Sequence, residues 1–169
     1  HKVRGIGFYT QRLLAELKKN KSLEIIELRS KAEIKKENYD LLHIPYFSPY
    51  FFTLPLSKKK PLVITIHDLI PIKYPKHYPS GIKGKFCWEI QKILLKQVDA
   101  ILTDSNASKK DIVKYIKYPE EKVYVIYLGG GKEFKKLSSK EGSSFDGEIG
   151  NCPPKKDPAL MEKLEIKEK

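Results

Sequence analysis

The sequence predicts an α/β protein built on a mostly parallel sheet with helices on both faces. Two observations lead there. Short strand-like segments alternate with amphipathic helical ones, and several of the strands are apolar throughout rather than on alternate residues. Continuous apolar strands are buried on both sides, which is the condition of a parallel sheet. A third observation concerns function: small or polar residues follow the strands where they end.

Residues 7 to 19, GFYTQRLLAELKK, put Tyr9, Leu13, Leu14 and Leu17 on one helical face and close on lysines, as the helix dipole favours. LEIIELR, residues 23 to 29, and YDLLHIP, residues 39 to 45, read as strands. An aromatic loop, YFSPYFFTLP, and a KKKP run follow, and then the strand LVITI. A helix is predicted over 82 to 97, with Phe86, Ile90, Ile93 and Leu94 at helical spacing. DAILTD reads as the next strand, leading into the short helix SNASKKDIVKYI, where Ser108 and Asp111 have the spacing of a capping box. VYVIYL, residues 123 to 128, is the last clear strand and ends on Gly129, Gly130 and Gly131. A domain is expected over 1–134. Residues 135–169 read as a polar interdomain linker and the truncated start of a further domain, with PALMEKLEIKEK read as a short helix.

A chain of 169 residues can bury a core without a disulfide or metal staple. Its two cysteines, Cys87 and Cys152, fit no zinc or redox spacing, and no apolar run is long enough to cross a bilayer. A cytoplasmic protein is the expectation. The net charge of +12 invites a polyanion, but only three of the 33 basic residues are Arg. Arg is the residue that reads phosphates and guanines bidentately, so dispersed Lys argues for a solvated surface more than for nucleic acid.

In an open α/β sheet, ligands bind beyond the carboxyl ends of the strands. VITI runs directly into His67 and Asp68; Gly5 and Gly7 open the first helix; Ser105 follows the strand ending at Asp104. Their convergence on one sheet edge is the functional signal, and each has an ordinary alternative. Gly5-Ile6-Gly7 is either a turn into a helix or a set of unobstructed N–H groups for a diphosphate. His67 is either a satisfied core histidine or a ligand group, Asp68 either a turn cap or its neighbour in the site, and Ser105 either a helix start or a cleft residue. The four histidines lack the spacing of a helical zinc site, and neither a G-x-S-x-G elbow nor a phosphate-loop motif occurs.

The ordered series GIGFYTQRLLAEL, DLLHIPYFSP, PLVITIHDLIPIKYPKHYP, VDAILTDSNASKKDIVKYI and PEEKVYVIYLGG resembles the N-terminal domain of family-4 (group 1) glycosyltransferases over about residues 3 to 131. The resemblance implies the Rossmann-like N-terminal half of a two-domain GT-B fold. It implies a retaining hexosyltransferase that uses a nucleotide-diphosphate sugar as donor and a glycan or lipid-linked acceptor, with no metal or other cofactor. Gly5 and Gly7 would approach the donor diphosphate. His67 would touch the transferred sugar, with Asp68 shaping its loop and Ser105 lining the cleft. Phe8 stands where many relatives carry Arg. The strand normally before the glycine loop and the C-terminal donor domain with its E-x7-E pair are not in the sequence, so the chain reads as a fragment with negligible transferase activity alone. The aromatic loop with Lys58 to Lys60 has two readings: peripheral contact with a membrane, or packing against the sheet. The alternative classes are a basic nucleic-acid module, from the helix-turn-helix likeness of ASKKDIVKYIKYPEEKV, and a non-catalytic α/β interaction domain.

Overall fold

In a computed structural model, which describes residues 5–28 and 30–129, the elements run α1 (Gly5–Leu17), α2 (Lys31–Lys36), β1 (Leu42–Ile44), β2 (Leu62–Thr65), α3 (Ile70–Lys73), α4 (Gly81–Leu95), β3 (Ala100–Thr103), α5 (Asn106–Ile116) and β4 (Val123–Val125). The four strands form one sheet in the order β1-β2-β3-β4. Every pairing is parallel, with Ile44 beside Ile64, Ile64 beside Ile101 and Ile101 beside Val123.

That register sorts the side chains by face. Leu62, Ile64, Ile66, Ile101 and Val123 point to one face and are buried, joined there by Leu95 and Val98 from the α4 side and by Ile112 and Tyr118 from the α5 side. His43, Val63, Thr65 and Leu102 point to the other face, where α1 arrives through a hydrogen bond between Tyr9 and Thr65 at 3.2 Å. Helices therefore serve both faces, the arrangement of a Rossmann-like α/β fold. The apolar runs of the strands are explained by this double cover.

Three expectations are corrected. Residues 23–28 form no strand: Leu23 and Ile26 are exposed, and β1 has β2 as its one neighbour among the described residues. A strand needs a partner for its backbone groups, whatever its propensity. In α4 the predicted face is turned. Gly84, Cys87, Gln91 and Leu95 are buried, whereas Phe86 and Ile93 are exposed by about two thirds. The Gly84 backbone lies against the Tyr50 ring, and a Cβ there would stand 2.7 Å from the Cβ of Ser80 at the start of the same helix, so a side chain at this buried position would require Ser80 to shift. The start of α5 is capped by Ser105 and not by a Ser108–Asp111 box. Ser105 has extended backbone angles and its hydroxyl accepts from the Ser108 N–H, while Asp111 pairs with Lys73 at 3.0 Å.

The helix-turn-helix likeness also dissolves. After α5 the chain turns through Lys117 in the left-handed region (φ 61°) and a 3-10 turn at Glu120–Lys122, then enters β4. Among the described residues the proposed turn leads into a strand and not into a recognition helix. The aromatic loop divides between its two readings: Phe47, Ser48 and Leu54 are buried, whereas Phe51 and Phe52 are exposed. Gly130, Gly131, the linker and the expected C-terminal helix lie outside the described residues.

Candidate functional site

Beyond the carboxyl ends of β2 and β3, two loops meet. His67 Nδ1 lies 2.7 Å from Asp104 Oδ2, and both side chains are largely withdrawn from solvent, at 17% and 24% exposure. The backbone of the same histidine is also held. Ser105 Oγ donates to Ser108 Oγ (3.1 Å), and Ser108 Oγ donates to the His67 carbonyl at 2.7 Å. Thus the β3–α5 connection grips His67 twice, once by its ring and once by its main chain.

The far side of the imidazole is different. His67 Nε2 is buried and has no hydrogen-bond partner among the described residues. The ring of Tyr9 stands perpendicular to the imidazole, centroids 4.7 Å apart. Leaving such an atom unmatched costs about 1–3 kcal/mol, which makes it a place where a ligand or water group is wanted. Tyr9 belongs to a second cluster as well: its hydroxyl and His43 Nε2 (2.9 Å) share the hydroxyl of Thr65. Burial lowers the pKa of His43, favouring its neutral form.

The other predicted residues take more distributed places. Asp68 is exposed and its Oδ1 accepts from the Ile70 N–H at 2.9 Å, shaping the turn into α3. It does not join the His67–Asp104 pair. Gly5 and Gly7 occupy the first turn of α1, about 6 Å and about 3 Å along the axis before Tyr9. A Cβ at Gly5 would meet nothing within 4 Å, so space within the described structure does not require glycine there. Ser105 sits in the β3–α5 loop as the cap described above.

Sequence reasoning had placed Asp104 only as the end of a strand, and had not picked out Tyr9 or His43 as neighbours of the site. For Asp104 a signal existed. In a parallel sheet, the residue that follows one strand's end stands beside the residue that follows its neighbour's. Tyr9 and His43 required the docking of α1 and the sheet register, which the sequence does not display. Among the described residues no group of three or more His, Cys, Asp or Glu could hold a metal ion, and no helix is long and apolar enough to cross a membrane.

A parallel sheet whose polar groups gather beyond the strand carboxyl ends defines a ligand-binding α/β domain of the Rossmann-like class. Within that class, residues 3–129 match the model of Glycosyltransferase Family 4, and the chain belongs to that family. A glycosyltransferase role, with a sugar donor and an acceptor as its substrates, follows from this membership. No curated protein and no solved structure matches the chain.

Proposed function

We propose that this domain is the acceptor-side half of a retaining glycosyltransferase. It would work with a donor-binding domain to move a hexosyl group from a nucleotide-diphosphate sugar to a glycan or lipid-linked acceptor. The observation that carries the proposal is the buried Nε2 of His67, without a hydrogen-bond partner among the described residues, on a ring fixed by Asp104 at the sheet edge where ligands bind. In this reading His67 contacts the transferred sugar as a positioning group. Asp68 shapes the loop, Ser105 fixes the neighbouring wall, and the N–H groups of the first turn at Gly5 and Gly7 face the diphosphate. The leaving diphosphate assists attack on the sugar, its charge is offset by helix amides and basic side chains, and no metal is assigned a role. The exposed Phe51 and Phe52, followed by Lys59 and Lys60, would bring a lipid-linked acceptor close to a cytoplasmic membrane surface, while Lys58 is committed to Asp99.

Amide chemical-shift mapping tests the reading. UDP- and GDP-hexoses added to the chain should shift signals of Gly5, Gly7, His67 and Ser105, and His67→Ala should remove the response. Shifts confined to the opposite edge of the sheet, or a response unaffected by His67→Ala, would refute it.

A further inference from the structure

We propose that Asp104 is a positioning residue: it locks His67 in the Nδ1–H tautomer, so that Nε2 meets the ligand as a hydrogen-bond acceptor. The inference deepens the function proposed above and rests on its assignment of His67 to the site.

A carboxylate has no proton to donate, so a 2.7 Å contact between it and a ring nitrogen places the proton on that nitrogen. In neutral imidazole the second nitrogen then carries a lone pair. A free histidine in water prefers the opposite arrangement, with the proton on Nε2, so the protein must hold this one. Both partners are fixed independently of each other's side chains. Asp104 follows β3 directly, and the Ser105–Ser108 pair ties the first turn of α5 to the His67 carbonyl. Flipping the ring about the Cβ–Cγ bond would put the Cδ2–H group against the Asp104 carboxylate and give up the Nδ1 hydrogen bond.

The consequence is a chemical selection. A buried lone pair at Nε2 accepts from O–H or N–H groups and is repelled by the acceptor-only oxygens of a phosphate. The ligand group that suits it is therefore a hydrogen-bond donor, such as a sugar hydroxyl, and the diphosphate would be held elsewhere.

Long-range 1H–15N spectra of the imidazoles in the full chain test this above the titration range, with His67→Gln assigning the signals. The proton should reside on Nδ1 by roughly tenfold or more, the preference a charge-assisted hydrogen bond supports. In Asp104→Asn, the amide can offer its own N–H to the ring, so Nε2–H should become the major form, while Asp104→Glu should restore Nδ1–H. A wild-type ring protonated on Nε2, or an Asn variant indistinguishable from wild type, overturns the proposal. The wild-type measurement needs neither substrate nor a folded variant, so its outcome is separable from that of the ligand mapping. With ligand, a UDP-hexose should move the Nε2 signal and UDP alone should not; an equal response to UDP would overturn the acceptor assignment.

Discussion

Gln91 holds the aromatic loop to α4, and replacing it should loosen that loop measurably. Its side chain is fully buried, and Nε2 stands 2.9 Å from the Ser48 carbonyl, 2.6 Å from the Phe51 carbonyl and 2.8 Å from Thr53 Oγ1. Gln91→Leu shortens the side chain by one heavy atom and removes both N–H donors. The Ser48 carbonyl, on a buried residue, is then stranded at a cost of about 1–3 kcal/mol, whereas groups near the exposed Phe51 can regain water. Some of that loss is returned, because Gln91 Oε1 is itself buried without a partner among the described residues and leucine does not carry that burden. A net loss of roughly 1–2 kcal/mol should lower the melting temperature by about 4–8 °C in a domain of this size. Gln91→Glu is the sharper test. An ionised carboxylate would face two carbonyls and a hydroxyl with no proton to offer the carbonyls, so it should destabilise more than leucine at neutral pH and recover as acid protonates it. Thermal melts by circular dichroism at pH 7 and pH 5 read both effects. A Gln91→Leu melt within about 1 °C of wild type, or a glutamate variant milder than leucine, would refute the clamp.

Tyr118 donates to the Val98 carbonyl at 2.7 Å, and burial, with the charge of Asp99 second, pushes its phenol up to about 12. The neutral phenol therefore stabilises the fold below about pH 10, and this contribution is lost as pH rises from there towards 12. Tyr118→Phe should cost roughly 0.5–1.5 kcal/mol at pH 7 and remove that alkaline limb from a denaturation profile. Asp99 joins the starts of β2 and β3, accepting from Lys58 Nζ (2.6 Å) and the Leu62 N–H (2.8 Å), which hold its carboxyl below the usual range. Its contribution is present above the unfolded value near 4 and fades as pH falls through the lowered one, so wild type and Asp99→Asn should converge in strong acid. His43, with its pKa lowered by burial, contributes stability that is complete above about pH 6.5 and declines below it, a limb that His43→Gln should lack in urea melts. Flotation with phosphatidylglycerol vesicles should retain the chain, and Phe51→Ser with Phe52→Ser should reduce that retention several-fold; equal retention would remove the loop from the membrane reading.

Fold class was legible because a doubly covered sheet leaves a one-dimensional trace: apolar runs such as VITI and AILT, broken by helices of the right length. The errors arose where a partner decides the outcome. LEII has strand propensity, yet a ladder needs a neighbour that sequence cannot supply. The face of α4 was misread because helical spacing fits two stripes, and which one is buried depends on what packs against the helix, here the loop carbonyls of Ser48 and Phe51 that Gln91 holds. One signal was simply missed. Ser30 and Glu33 form a reciprocal cap, with Ser30 Oγ accepting from the Glu33 N–H at 3.3 Å and donating to its carboxylate at 2.8 Å. That S-x-x-E spacing announces α2 as clearly as any helix start in the chain.

The site follows the same division between what a segment contains and what its neighbours impose. His67 was visible as a polar residue at the end of a buried strand, but its chemistry is set by groups 37 and 41 residues away in sequence, Asp104 at its ring and Ser108 at its carbonyl. Neither of those residues belongs to the His67 loop. The geometry of the histidine is thus carried by the β3–α5 connection, whose own conformation is fixed by the Ser105 cap. A loop held in this way does not have to reorganise when a ligand arrives, which is the condition under which a hydrogen bond contributes most to binding or to a transition state. It also predicts where damage should spread. Substitutions at Asp68, which touches only the Ile70 N–H among the groups of its turn, should disturb the approach to α3 and leave the ring in place. Loss of the Ser108 hydroxyl, a residue that no motif marks as part of the site, should displace it.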